Sequence, residues 1–338
     1  MSETGMHRLN RLTALVVVAL ALAPAAHGDD ALFGRYEARD SLAIEGDDSA
    51  AAARVLEHIA WEPATFDVRV GPGRWGADAV VRFASARPVG DVVGDRVLLL
   101  WYAARDEAGA IIDAPAAVVV HTVQPQMIVG RMIAAGLSRE RVHGFVLVLP
   151  GFDVRAQPGR AEAVTLLERA GQAVADVRRA RDAVAALPHV QPGAIALQGT
   201  SLGGFVAATA AALDDAFDPV MLALSGVHLR RVLEDGRADA AVLRLTLARH
   251  GYVGEALDEL LASVEPAAVM HRLSPQRTWL FSARHDQVVP PAATAALAEA
   301  LGLGEDRHEV FDANHYSAAL HLPRLIRRMA GIVNGQEP

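Results

Sequence analysis

The stretch Gln198-Gly199-Thr200-Ser201-Leu202-Gly203-Gly204 places a serine hydroxyl between glycines two residues to either side. A serine is a weak nucleophile until a neighbouring base takes its proton. To meet both a base and a carbonyl carbon, the hydroxyl must stand clear of its own backbone. A sharp strand-to-helix turn achieves this but crowds the neighbouring main chain so closely that Gly199 and Gly203 are required where a larger residue would collide. A helix that begins just after Ser201 aims its first amide groups at an oxyanion forming there, and the Leu202 N–H is the expected first donor.

Two partners follow in chain order. The apolar run 277–283 reads as a strand and leads into Arg284-His285-Asp286-Gln287-Val288-Val289-Pro290. Asp286 thus lies just beyond the carboxyl end of a strand, where ligands gather in open α/β sheets. The next strand-like run, 307–311, leads into Asp312-Ala313-Asn314-His315-Tyr316-Ser317. His315 is placed to act as general base, and Asp286 to orient it. The order Ser, Asp, His is the one expected of a nucleophile on a strand–turn–helix elbow.

The rivals are weaker. His121 at a strand end reads as a loop-packing residue, His285 is expected to point away from its neighbour Asp286, His308 lies inside a strand pattern, and His321 lies in the last helix. After the strand 220–224 the sequence runs Ser225-Gly226-Val227-His228, with no carboxylate until Glu234. Asp312 is close to His315 in sequence but is expected to be solvated.

The elements that must position these residues alternate in type. Phe66, Val68 and Val70 alternate with Asp67 and Arg69, as in a half-buried strand. The runs 79–85 and 97–104 are further strands. From Pro115 onward apolar strands (116–121, 143–149, 194–198) alternate with helical patterns (126–137, 161–187, 203–213). Such alternation predicts right-handed crossovers and a mainly parallel sheet covered on both faces. The long helix 161–187 is expected to turn its arginines to solvent. Residues 228–265 are mostly helical and longer than a crossover needs, so they are expected to cap the site. Arg230, Arg231, Glu234, Asp235, Arg237 and Asp239 suit a soluble cap better than a greasy interfacial lid. That charge predicts a preference for esters of short or medium acyl chains. Glu255, Asp258 and Glu259 are most simply a wet helix face.

Composition narrows the chemistry further. The 338 residues carry a formal charge of −8, which gives no basic footprint for nucleic acid. The sequence contains no lysine and no cysteine, so all 32 basic residues are arginine. These absences exclude a Ser–Lys dyad, a Schiff base, a lysine-bearing phosphate loop, a thiol nucleophile and disulfides. No H-E-x-x-H or tight ligand cluster suggests a metal, and Trp61, Trp75, Trp101 and Tyr102 read as core packing. His7, Arg8 and Arg11 precede an apolar run from Leu12 to Ala23, with small residues following up to Gly28. A charged start, a short apolar stretch and a small-residue exit predict a secretory signal peptide over 1–28 and export to the periplasm or medium. After processing no stable membrane anchor is expected.

From about Ala79 to Gly331 the chain resembles the α/β-hydrolase superfamily. The resemblance is carried by Gly199-Thr200-Ser201-Leu202-Gly203-Gly204, Asp286-Gln287-Val288-Val289-Pro290 and Asn314-His315-Tyr316. Within that superfamily it looks most like the dienelactone-hydrolase and acyl-peptidase-like esterases. The resemblance implies an α/β fold with a mainly parallel eight-stranded sheet and antiparallel early strands. It divides the chain into a 29–78 N-terminal extension and a 79–335 hydrolase domain carrying the cap at about 228–265. The family pattern also has His-Gly after the third strand, leading into an oxyanion loop. Here the matching stretch is Val120-His121-Thr122-Val123-Gln124-Pro125, with Thr122 in place of the glycine. The second oxyanion N–H is expected from Val123 ahead of Thr122. The activity implied is hydrolysis of a small acyl ester through an acyl-enzyme, with no cofactor. An acyltransferase or a peptidase would use the same triad, and a non-catalytic binding member of the fold is the remaining alternative.

Overall fold

A computed structural model describes residues 32–122, 125–156 and 166–336. The segment read as a signal peptide lies outside the described residues, as does Val123. Among the described residues ten strands form one sheet: β1 (Gly34–Arg39), β2 (Thr65–Pro72), β3 (Ala79–Ala84), β4 (Arg96–Tyr102), β5 (Ala114–Val120), β6 (His143–Leu147), β7 (Val190–Thr200), β8 (Val220–Ala223), β9 (Thr278–Ala283) and β10 (His308–Phe311). Their spatial order is β1-β2-β3-β4-β6-β5-β7-β8-β9-β10. The pairs from β1 to β4, and β4 with β6, are antiparallel; every pair from β6 through β5 to β10 is parallel.

The eight strands expected from the resemblance are β3 to β10. The other two come from the segment read as an N-terminal extension, and they lengthen the antiparallel end of the sheet to ten. Phe66, Val68 and Val70 of β2 are buried while the residues between them are exposed. That alternation gives β2 an apolar face that only a covered sheet can satisfy, and β3 offers it a free edge.

The described residues also form nine α-helices: α1 (Ala50–Ile59), α2 (Ile128–Arg139), α3 (Leu166–Ala185), α4 (Leu202–Ala211), α5 (Leu229–Asp235), α6 (Asp239–Arg249), α7 (Gly254–Ala262), α8 (Pro291–Leu301) and α9 (Leu322–Val333). Side chains of central β5 divide between two cores. Val118 and Val120 join α1, α3 and α4 on one face, and Ala117 and Val119 join α2 and α9 on the other. This period-two division is what a strand buried on both faces requires.

The arginines of α3 do not face solvent as the helical pattern predicts. Arg178 and Arg179 are buried. Arg178 sits between Asp182 at 3.0 Å and Asp214 at 2.7 Å, and Arg179 pairs with Asp40. Asp176 receives Arg155 at 2.6 Å and the Ser85 hydroxyl at 2.6 Å. The cause is the N-terminal segment, which lays Asp40 and Ser41 over a helix face that would otherwise be wet. Ser41 donates to Asp182 from both its backbone N–H and its hydroxyl.

Candidate active site

Strand β7 ends at Thr200 and α4 begins at Leu202, so the whole turn falls on Ser201. Its backbone has φ 54° and ψ −120°, a conformation that L-residues rarely adopt. The surrounding hydrogen bonds hold it there. Ser201 N–H donates to Ala223 O of β8, while Ser201 O accepts from the N–H groups of Gly204 and Phe205. The glycines are sterically required. A Cβ on Gly199 would stand 2.5 Å from Gly203 O, and one on Gly203 would stand 2.3 Å from Val120 O and 2.5 Å from His121 O. Strand β5, its following loop and α4 can approach this closely only without those side chains.

The structure brings Ser201, His315 and Asp286 together. The Ser201 hydroxyl is 3.1 Å from His315 Nε2. His315 Nδ1 is 2.7 Å from Asp286 Oδ2. The other carboxylate oxygen, Asp286 Oδ1, accepts the backbone N–H groups of Val288 (2.8 Å) and Val289 (2.9 Å). Those amides were not singled out in the sequence, although an aspartate accepting from the main chain two and three residues later is a common turn motif. They leave Oδ2 free for the histidine and fix the carboxylate plane. The His315 and Asp286 side chains are 8% and 3% exposed, so water competes little for either contact.

The rival groups point elsewhere. His285 Nε2 pairs with Asp312 at 2.8 Å, and both side chains are largely exposed. His308 bonds the Ser282 hydroxyl across β9 and β10. His121 is buried in the loop after β5. Its Nε2 accepts the Leu149 N–H, so Nδ1 carries the proton and donates to Thr122 O at 2.6 Å. Burial pushes the His121 ring below the usual histidine range, which keeps it neutral.

The expected oxyanion donors divide between described and undescribed residues. Among the described residues, the N–H of Leu202 finds no acceptor, as a waiting donor at a helix start would require. Thr122 is partly buried, and its carbonyl is turned to His121. Val123 lies outside the described residues. No group of three or more His, Asp or Glu that could hold a metal occurs among the described residues, and no described helix is long and apolar enough to cross a membrane.

Helices α5 and α6, with the bend between them, contact the loops that carry the acid and the base. Val232 of α5 packs with Val289 and Ala293 beyond Asp286 and with Phe205 of α4. The Tyr316 hydroxyl, next to His315, meets Asp239 at the start of α6. Tyr316 as a whole is exposed, but desolvation of its hydroxyl first, and then the Asp239 carboxylate, push that hydroxyl up to about 12. The outer surface of the cap is charged as its sequence suggests, with Arg231, Glu234, Asp235, Arg237 and Asp239 exposed. Arg230 is taken up by Glu234 and Asp258, and Arg244 by the carbonyls of Leu233 and Glu234. Val242, Leu243 and Leu245 of α6 are exposed.

An activated hydroxyl, a histidine that can accept its proton and a carboxylate that fixes the tautomer form a set able to attack an acyl carbonyl. Comparison with known proteins agrees with that class. Residues 144–328 match the prolyl oligopeptidase family. Comparison with curated proteins finds no match in sequence. Among solved structures the fold is similar to a puromycin-hydrolyzing peptidase of Mycobacterium tuberculosis (TM-score 0.57, 15% identity), covering 80% of this chain and 46% of that one. It is similar to an acetyl xylan esterase from Paenibacillus sp. R4 (TM-score 0.58, 16% identity), covering 84% and 92%. It is also similar to an acylaminoacyl peptidase of Pyrococcus horikoshii (TM-score 0.53, 14% identity), covering 78% and 40%. The chain thus spans less than half the length of either peptidase.

Proposed function

This chain belongs to the prolyl oligopeptidase family of α/β-hydrolases, and on that premise we propose that it hydrolyses carboxylic esters of small acyl substrates with Ser201 as nucleophile. The observation that carries the reading is the unbroken chain from Ser201 Oγ through His315 to Asp286, at 3.1 and 2.7 Å. His315 Nε2 takes the serine proton as Oγ attacks the acyl carbon. Asp286 holds the Nδ1–H tautomer and stabilises the imidazolium without itself taking the proton. The Leu202 N–H and an N–H of the Thr122–Val123 loop hold the tetrahedral oxyanion. His315 then protonates the departing alcohol, and water repeats the sequence to release the acid.

Amide cleavage is the second reading, favoured by the peptidase family to which the chain belongs and by two of its structural neighbours. The same triad can protonate an amine. Against it, the cap acids Glu255, Asp258 and Glu259 all lie on exposed surface, and Asp258 is paired with Arg230. The two readings separate on kcat/KM for p-nitrophenyl esters from acetate to palmitate, beside aminoacyl and peptidyl anilides. The ester reading expects the maximum among short or medium esters. An anilide that outruns every ester supports the peptidase. Product that forms only with an alcohol or amine acceptor marks an acyltransferase.

Export belongs to the same proposal. The first residue of the native mature protein, read by mass spectrometry, is expected near Ala26 or Asp29. An intact Met1 or Met6 in the soluble cytoplasmic fraction contradicts it.

A further inference from the structure

The bend between α5 and α6 touches both loops that carry the partners of Ser201. Gly236 is buried, and a Cβ on it would stand 2.3 Å from Val232 O and 2.6 Å from Val288 O. The chain therefore passes directly against the main chain that holds Asp286 Oδ1. One residue on, the Arg237 N–H donates to Gln287 O at 2.6 Å. Gln287 lies between Asp286 and the two amides that fix its carboxylate. Ala238 then adopts φ 49° and ψ −113°, a strained conformation for a residue with a side chain. Such a conformation persists only where its surroundings over-determine it. Asp239 next faces the Tyr316 hydroxyl with its carboxylate. Tyr316 follows His315 directly, and the two rings stand edge to face at 5.6 Å.

Within this run of four, Gly236 and Arg237 contact the acid loop and Asp239 faces the base loop. We propose that Gly236–Asp239 is a positioning element for the triad, which sets the separation of Asp286 and His315 only while the cap is seated. This inference rests on the reading of Ser201, His315 and Asp286 as catalytic. None of the four touches the reacting atoms. They act by holding Gln287 and Tyr316, and through these the two side chains that matter.

The test measures kcat and KM for p-nitrophenyl acetate in Gly236→Ala, Asp239→Ala, Asp239→Asn, Tyr316→Phe and the Asp239→Ala/Tyr316→Phe pair. Gly236→Ala is also made in an Asp286→Asn background. A misplaced catalytic group costs rate steeply, so Gly236→Ala is expected to lose roughly tenfold or more in kcat with KM within about twofold. Asp239→Ala and Tyr316→Phe should each lose a few-fold, and the pair no more than either alone. Asp239→Asn should recover most of the loss, because its amide oxygen still accepts from the phenol. With Asp286→Asn already present, Gly236→Ala should cost nothing further, an outcome that general destabilisation would not give. Full kcat in Gly236→Ala and Asp239→Ala overturns the inference, as does an equal Gly236→Ala loss in both backgrounds. Should Gly236→Ala not fold, Tyr316→Phe and the Asp239 pair decide it alone. Failure of the unaltered protein to turn over any ester or to react with a fluorophosphonate would be a failure of the catalytic reading instead.

Discussion

Helix α3 and the carboxyl edge of the sheet both bury polar side chains, but they do so in opposite ways. Around α3, Arg178, Arg179 and Asp176 are matched by Asp182, Asp214, Asp40, Arg155 and Ser85, so that opposed charges meet within a closed network. At the sheet edge three groups suffice, and each has a hydrogen-bonding position kept for a specific neighbour: Ser201 for His315, His315 for Asp286, and Asp286 for two amides. In the first region each of these charges is taken up by another, and the buried oxygen of α3 left without a hydrogen bond, Gln172 Oε1, is neutral. The second ends in a hydroxyl on a strained turn, beside an amide with no acceptor among the described residues. Burial of charge alone therefore does not mark a working site; the mark is an open position at the end of a satisfied chain.

The comparison breaks most visibly at Ser201. Ser201→Ala keeps the turn, since a methyl fits where the hydroxyl did, and is expected to lose on the order of 10³-fold or more in kcat. Thermal melting should stay close to that of the unaltered protein. Arg178→Ala should do the reverse. Removing one partner of a buried ion pair leaves uncompensated charge and costs about 3–5 kcal/mol of stability, read from urea unfolding. The kcat of the folded fraction should be unchanged.

A smaller effect belongs to His143, buried at the start of β6. Its Nδ1 accepts from Trp101 Nε1 and the Ala104 N–H, while Nε2 faces the carbonyls of Ile112 and His189. The neutral ring is fully satisfied, and a second proton at Nδ1 would oppose two donors. Burial takes this histidine from its ordinary 6.5 down to about 4. The unfolded chain therefore binds the proton first as pH falls. Stability is fully present above about 6.5 and is lost between there and about 4, by roughly 3 kcal/mol. Urea unfolding across that window should show the loss, and His143→Gln, which can still accept and donate, should flatten it. A slope unchanged in the variant assigns the loss to other groups. The smallest effect is expected at the exposed pair His285–Asp312. Asp312→Asn should leave kcat and melting temperature unaltered. A large fall in kcat would transfer the carboxylate role away from Asp286.

The sequence was legible where a local backbone demand selects a residue type. Glycines at 199 and 203 follow from the crowding of one turn, and Asp286 and His315 from their places just after strands. The parallel strands were visible as apolar runs. Three features were not. The arginines of α3 repeat with a helix period, and that period cannot tell water from a folded-back segment carrying Asp40 and Ser41. Strand β1, and the place of β2 in the sheet, were hidden for a related reason. An edge strand gains its partner from the sheet it joins, so the short alternation at 66–70 gave a strand but not the sheet to which it belongs. The bend at 236–239 was likewise invisible, because its contacts with Gln287 and Tyr316 cross about 50 and 80 residues of chain.

The central claim is that Ser201 is the nucleophile, activated by His315. Reaction with a fluorophosphonate followed by peptide mapping tests it most directly, since the probe bonds only to an activated hydroxyl. One adduct per chain is expected, on the peptide containing Ser201, absent in Ser201→Ala and formed far more slowly in Asp286→Asn. An adduct on another serine, or ester turnover that persists in the fully labelled protein, would contradict the account.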